Sequence, residues 1–368
     1  MDFIISSVNL NPIGSLIYNV LFGWINGWAS GSEVIGSFAV TVIFFTLFLK
    51  LITLPLDIWS KQMGRKNAKK MEIMQPELDK IKKQCGDDKQ ALMVKQRELN
   101  KKYKYSMLGG CLPQIITMVI FFMVFGGFNS AVRYHNNWVF EQLRDTYEYH
   151  HALVLEEEAY KLEMEAEDLS SLPIEEQIRI GNAAISAAEQ AVSVRFEELR
   201  QGFLLTHNIF MPDNWSNRVP EAGTFYGTGM GRLGIPMPED GDGFPEYNRV
   251  MDALLTEQNT GWNGYLVLPA FALALAFISS KFMKPPAPPQ MLGQSEQQAK
   301  ASKSQQKMMQ YMMPIMMGVF PLFWSAAFAL YIVTNSLLTT VFGFAYNMIT
   351  KKIDAKEKDH ILATTVKK

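Results

Sequence analysis

Lys50 is the first residue of this chain whose setting suggests chemistry. It lies within Gly36-Ser-Phe-Ala-Val-Thr-Val-Ile-Phe-Phe-Thr-Leu-Phe-Leu-Lys50-Leu-Ile-Thr-Leu-Pro-Leu56, whose other members are uncharged. An ammonium group in hydrocarbon costs about 2.5 to 3.5 kcal/mol on insertion scales, so such a residue marks a candidate site for a polar or anionic group. A second reading is open. Lys50 stands about eight residues, or ~12 Å, before Ile58, and its four-carbon stem could snorkel to the headgroups. Covalent chemistry is poorly supported. There is no His-Glu-x-x-His, no phosphate-binding Gly loop and no pair of carboxylates within an apolar run, and His135, His150, His151, His207 and His360 lie outside these runs. No enzyme, metal or cofactor is expected. Asp240-Gly-Asp242-Gly243 lacks the further ligands and the closing Glu of a calcium loop. Asn214-Trp215-Ser216 fits a glycosylation sequon, a triplet that arises readily by chance.

The elements that must position Lys50 are apolar. Composition looks soluble, with 19% charged residues and a net charge of -1, but the charge is segregated into blocks. Residues 36–58, 107–128, 262–282, 308–323 and 326–349 form five expected membrane spans, the last two divided near Pro321, Trp324 and Ser325. Residues 59–106 carry a dense run of Lys and Arg, which predicts a cytoplasmic segment. The segment 129–261 is acid-rich and is expected outside. Its first half, about 137–203, reads as helices separated at Leu172-Pro173, and its second half is rich in Gly, Pro and aromatics. The linker 283–307 and the tail 350–368 are again basic, predicting an N-terminus outside and a C-terminus inside.

Within 1–35, Ile13, Leu16, Ile17, Val20, Leu21, Trp24, Ile25 and Trp28 recur at helical spacing, predicting an amphipathic helix on the outer interface, with a sixth, shorter span as the other option. No removable signal and no lipid-accepting cysteine are expected there. Cys85 and Cys111 fall on the reducing side, so no disulfide is expected. In the basic segment, Met71, Met74, Leu78 and Ile81, then Leu92, Val94 and Leu99, predict an antiparallel helical hairpin broken at Cys85-Gly86-Asp87-Asp88. Asp88 is the expected N-cap of its second helix, and Pro76 is expected to kink or restart the first. Anionic lipid or ribosomal RNA would satisfy the positive charge.

The order of these features is distinctive: a basic hairpin, then Gly109-Gly110-Cys111-Leu112-Pro113 opening the second span, then Met312-Met313-Pro314 in the fourth. Lys50-Leu-Ile-Thr-Leu-Pro55-Leu, Met74-Gln75-Pro76-Glu77 and Tyr331-Ile-Val-Thr334-Asn335 complete the pattern. It resembles the YidC/Oxa/Alb family of membrane protein insertases over roughly 36–128 and 262–350. The resemblance implies an all-α membrane protein, a five-helix bundle with a cytoplasmic hairpin and, in this chain, a partly helical extracytoplasmic insertion. It also implies a hydrophilic groove, open to cytoplasm and lipid, that passes nascent hydrophobic segments into the bilayer without nucleotide hydrolysis. Nascent membrane proteins, the ribosome, anionic lipids and the Sec translocon are the implied partners, and the bacterial plasma membrane the implied location.

Carried over by position, the groove would be lined by Lys50, in the place of the family's usual arginine, with Gln114, Thr117, Thr334 and Asn335. For the last four, hydrogen bonding between helices is the alternative role. Phe121, Phe122, Met316, Phe320 and Phe323 would form a greasy slide for a client segment, with ordinary packing as the alternative. The insertion 129–261 departs from the family's short connection and could receive translocated tails, dock a partner or merely stabilise the bundle. A solute transporter or channel, or a scaffold that assembles membrane complexes without inserting them, are the rival functions.

Overall fold

The computed structural model describes residues 8–28, 36–85, 88–103, 108–238, 243–282, 311–312, 315–316 and 318–365. Side chains are described for these except at 28, 67–69, 71–73, 75, 82, 89, 108–114, 280–282 and 351–365. Helices α1 (Pro12–Ser15) and α2 (Gly23–Trp28) flank a π-helical stretch, Leu16–Phe22. Then come α3 (Ser37–Cys85), α4 (Lys89–Lys102), α5 (Leu108–Lys161), α6 (Ile174–Leu199), α7 (Ala222–Phe225), α8 (Gly243–Gln258), α9 (Val267–Phe282) and α10 (Ala326–Thr365). The described residues contain no strand beyond an isolated antiparallel bridge, Phe203 to Thr206.

Among the described residues, three stretches are long and apolar enough to cross a membrane, Ser37–Lys66, Ile115–Lys161 and Ala326–Thr350, and a shorter apolar helix covers Val267–Ser279. The chain is a multi-pass helical membrane protein, because in hydrocarbon only a helix or a closed barrel satisfies its own backbone. Residues 308–310, 313, 314 and 317 of the expected fourth span, 308–323, and all of the linker 283–307 lie outside the described residues. Three helices run on past the expected span ends: α3 continues to Cys85 through Pro55 and Pro76, α5 continues through 128 to Lys161, and α10 continues through 349 to Thr365. Pro76 therefore starts no new helix. A proline removes one i to i−4 bond, and the intact turns on either side of it carry the helix on.

The residues divide into two compact units, Met1–Ile43 with Val124–Pro269 and Phe320–Leu330, and Phe44–Met123 with Ala270–Val319 and Tyr331–Lys368. In the first unit, Phe140, Leu143 and Tyr147 of α5, Val192 and Phe196 of α6, and Tyr247, Val250 and Leu254 of α8 recur at three- and four-residue spacing and bury one another. Tyr247 is fully buried, and its hydroxyl donates to the Pro220 carbonyl at 2.5 Å. The break expected at Leu172-Pro173 is present: a 3₁₀ turn, Ala166–Ser171, precedes Pro173, the N-cap of α6.

Asn11 starts the N-terminal helices, accepting from the Gly14 N–H at 2.7 Å, while its own N–H donates to Ser130 Oγ and its amide to the Gly126 carbonyl. Gly127 is needed where this segment approaches α5, since a Cβ there would run into the Ile13 side chain. Ile17 and Ile25 are buried, whereas Val20 and Trp24, members of the same expected apolar set, are exposed.

Residues 201–214 form a strap that satisfies the first N–H groups of three apolar helices, groups that no helix can satisfy internally. Gln201 Oε1 accepts from Phe38 N–H of α3, and the Gly202 carbonyl accepts from Gly36 N–H at 2.9 Å. Ala326 and Ala327 of α10 donate to the Met211 and Ile209 carbonyls, both at 2.8 Å. Asp213, fully buried, accepts from Tyr265 N–H at 3.0 Å and from Leu268 N–H of α9 at 2.7 Å. Asn263, also fully buried, bonds Asn208 through both its amide nitrogen and its oxygen.

His207 lies in the same strap, its Nε2 3.1 Å from Gln258 Oε1. Burial, then the nearby Arg200 and Arg218, push it down from 6.5 to about 4. The unfolded chain therefore takes up a proton that the folded strap refuses, so the stability is fully present above pH 6.5 and is lost as pH falls toward 4. Thermal unfolding of the purified protein in nanodiscs at descending pH should show this loss, and His207→Gln should flatten it.

In the second unit, Met74 and Leu78 of α3 pack on Leu92 and Leu99 of α4, with Ile81, Cys85 and Tyr103 beside them. Glu77 accepts from Lys102 Nζ at 3.0 Å and from the Tyr103 hydroxyl at 2.5 Å. Asp88 caps α4 by accepting from Gln90 and Ala91 N–H. Val94, expected on the packed face, is 58% exposed, because it lies two positions past Leu92 and so on the far side of the helix.

Candidate functional site

Lys50 lies in the second unit, and its ammonium is not solitary. Nζ donates to Asp57 Oδ2 and to Thr339 Oγ1, both at 2.7 Å. The Lys50 side chain is 12% exposed and that of Asp57 25%. Seven residues make two helical turns, so Lys50 and Asp57 share one face of α3. This corrects the expectation of a lone charge. Asp57 sits immediately beyond the apolar run, and its i+7 spacing from Lys50 is the sequence signal that identifies it.

The pairing explains how the ammonium is tolerated. A charge withdrawn from water needs both an opposite charge and hydrogen bonds, and Asp57 and Thr339 supply them. Two of the three ammonium N–H groups are thereby used among the described residues. The seam continues along both helices. Lys61, one turn beyond Asp57, lies over the rings of Phe342 at 5.0 Å and Tyr346 at 5.2 Å, on the α10 face that carries Thr339. This second ammonium and its aromatic partners were not among the expected site residues. The arrangement is suited to holding and exchanging an anionic partner by charge and hydrogen bonding.

The other expected groove residues are placed as follows. Thr117 is exposed on α5, and the side chain of Gln114 lies outside the described residues. Thr334 and Asn335 are half-buried on α10, and neither is hydrogen-bonded to Lys50, which takes Thr339. Asn335 lies one turn before Thr339 on the same face, whereas Thr334 is turned about 140° from it. Of the expected slide, Phe121 and Phe122 meet edge to face at 5.6 Å, and Phe122 and Met316 are exposed. In the first unit Phe323 is exposed, while Phe320 stacks on Trp324 at 3.9 Å beside Phe125 and Phe328. Phe320 thus belongs to a packed aromatic cluster.

His135 is buried, with Nδ1 2.8 Å from the Tyr18 hydroxyl and its ring stacked on Phe210 at 3.6 Å, a structural role. No cluster of three metal-ligating residues occurs among the described residues. Asp240 and Asp242 lie outside them, as does the side chain of Cys111. Cys85 is a free thiol.

Comparison with known proteins adds to this geometry. The family profile described as 60Kd inner membrane protein matches residues 30–174 and 190–355, most of the chain. A protein of Fusobacterium nucleatum named membrane protein insertase YidC is 38% identical over 119 residues, 32% of this chain and 56% of that protein. Proteins of the same name from Dinoroseobacter shibae and Chloroherpeton thalassium are 38% identical over 92 residues and 35% identical over 99. Those matches cover 25% and 27% of this chain but only 14% and 16% of the relatives. The chain thus spans about half the length of the first relative and far less of the other two. An apolar helix with a paired ammonium, the ordered motifs around it and a profile match that runs through most of the chain, 129–174 and 190–261 included, agree, and the chain belongs to the 60Kd inner membrane protein family, the YidC/Oxa/Alb group.

Proposed function

We propose that this protein is a membrane protein insertase that moves nascent hydrophobic segments from the cytoplasm into the bilayer through a hydrophilic, laterally open groove, without nucleotide hydrolysis. The observation that carries the reading is the Lys50 ammonium, held by Asp57 and Thr339 within apolar helices of a family whose curated relatives are named insertases. About 20 apolar residues gaining ~0.3 to 0.6 kcal/mol each outweigh the ~2.5 to 3.5 kcal/mol cost of one charged residue at the membrane centre. Insertion is therefore downhill, and the obstacle is the transient dehydration of the client's polar end. A carboxylate on that end exchanges with Asp57 for the ammonium, which lowers the barrier without any covalent step. Hydrophobic burial then draws the segment sideways into lipid.

The five-span topology, with N-terminus out and C-terminus in, fits the strap. Helices α9 and α10 both begin at residues bonded to it, so the chain between them must cross back, and 308–323 is the apolar segment available. The basic α3–α4 hairpin then faces the cytoplasm, where ribosomal RNA and anionic lipid are its partners, and the Sec translocon is a further one.

A photocrosslinking amino acid at Thr117 or Asn335 should capture a ribosome-bound membrane nascent chain. Absence of capture at both positions, with normal expression, would reject the groove. Solute flux in liposomes containing only this protein would favour a transporter.

A further inference from the structure

Leu204 and Leu205 occupy the tip of a two-residue turn in the strap. Phe203 and Thr206 close it with two backbone bonds, at 3.0 and 2.9 Å. Both leucines are exposed, 54% and 60%, although each is a large aliphatic side chain. Leu204 has φ of 53°, in the left-handed region that favours glycine. The fold thus presents two aliphatic side chains on a backbone suited to glycine and packs neither into the core. Scattered exposed leucines need no explanation, but two adjacent ones on a braced tip do.

Chain geometry shows what covers them. On one side of the tip Gly202 accepts from Gly36 N–H, one residue before α3 enters its apolar run. On the other side His207 N–H donates to the Asn263 carbonyl, four residues before α9 begins. An extended chain advances about 3.3 Å per residue, so the tip lies within about 10 Å of the start of α3 and of Asn263, the residue that leads into α9. Beside the second anchor, Trp262 and Tyr265 are 55% and 54% exposed and Trp215 62%, with Trp262 6.1 Å from Trp215 and 6.0 Å from Tyr265. Trp and Tyr at a helix entry are residue types that settle at the headgroup level.

We infer that the Leu204-Leu205 tip is a lipid-inserting wedge of the extracytoplasmic insertion. It enters the outer leaflet beside the starts of α3 and α9 and works with the Trp215, Trp262 and Tyr265 cluster to seat the insertion on the membrane. The occupant is the acyl region of phospholipid. It rests on the topology proposed above, which puts the insertion outside, but not on the chain inserting clients.

The test places a cysteine at Leu204 or Leu205 in full-length protein carrying Cys85→Ser and Cys111→Ser. An environment-sensitive fluorophore is attached, and the protein is reconstituted into vesicles of phosphatidylethanolamine and phosphatidylglycerol. Tyr160→Cys, at the exposed end of α5, is the reference. Lipids bearing a nitroxide near the ester end of the acyl chain should quench either tip label about threefold or more above the reference, with blue-shifted emission. Leu204→Gly, which suits the backbone and removes the side chain, should keep the fold and weaken quenching of a label at 205. Equal quenching at tip and reference, or full access of aqueous iodide to the tip labels, would overturn the proposal. So would protection that appears only when a ribosome-bound nascent chain is added, since the tip would then be a client contact.

Discussion

Substituting Lys50 by glutamate will reduce insertion of a client with an acidic translocated tail at least about tenfold, while Lys50→Arg will keep most of it. Unit charges 4 Å apart interact by about 4 kcal/mol at an effective dielectric constant of 20, and every 1.4 kcal/mol is a factor of ten. Reversing the sign therefore removes far more than a tenfold effect requires, even after screening by a wet groove. Arginine retains the charge and adds donors, so it can still hold Asp57 and Thr339. Lys50→Ala alone is ambiguous, because it strands a 25% exposed Asp57 carboxylate and costs about 1 to 3 kcal/mol of stability. Adding Asp57→Asn removes the stranded charge, so the double variant should regain stability without regaining insertion of acidic tails. Asp57→Asn by itself frees the ammonium and should raise capture of such tails. Protease protection of reconstituted clients with no, one or two aspartates in the tail reads all of these. An equal loss for neutral and acidic tails would show that the ammonium acts only in folding.

The largest stability effect is expected at Asp213→Ala, about 2 to 4 kcal/mol. The carboxylate is fully buried and accepts two backbone N–H bonds, so truncation leaves the buried Leu268 donor of α9, and the partly buried one of Tyr265, without that partner. Loss of the negative charge also removes a favourable term at the helix N-terminus. Asp213→Asn, which keeps one acceptor oxygen, should cost less than half as much. Gly264→Ala should approach the alanine effect from the other side, because a Cβ there would run into the Asp213 side chain. Thermal unfolding in nanodiscs measures all three, and a change below about 0.5 kcal/mol at Asp213→Ala would remove the strap as a determinant of stability.

Much of the architecture was legible because it rests on local pattern. Asp88 at the N-cap of α4, Pro173 at the start of α6 and the Met74, Leu78, Leu92 and Leu99 packing follow from spacing and capping chemistry within one or two turns. Helix ends were less legible. Nothing near 128 breaks a helix, so α5 runs from apolar to charged sequence without interruption, and a change of solvent leaves no mark on its backbone.

The candidate site divides in the same way. That Lys50 is exceptional is written in twenty uncharged, mostly apolar neighbours, and Asp57 could have been found two turns along the same face. Thr339 could not, because it is 289 residues away and one of many hydroxyls in its helix. The strap is harder still. It holds the starts of α3 and α10 through the carbonyls of Gly202, Ile209 and Met211, groups that every residue type possesses, and that of α9 through a distinctive side chain, Asp213. The amino-acid sequence alone determined the helical class, the apolar blocks, the charged residue inside the first of them and the family motifs, since each depends on side-chain type at fixed local spacing. Tertiary structure decided which partners that residue holds and what fastens the helix starts together, because those bonds join backbone and polar groups far apart in the chain that become distinguishable only when folding brings them within 3 Å.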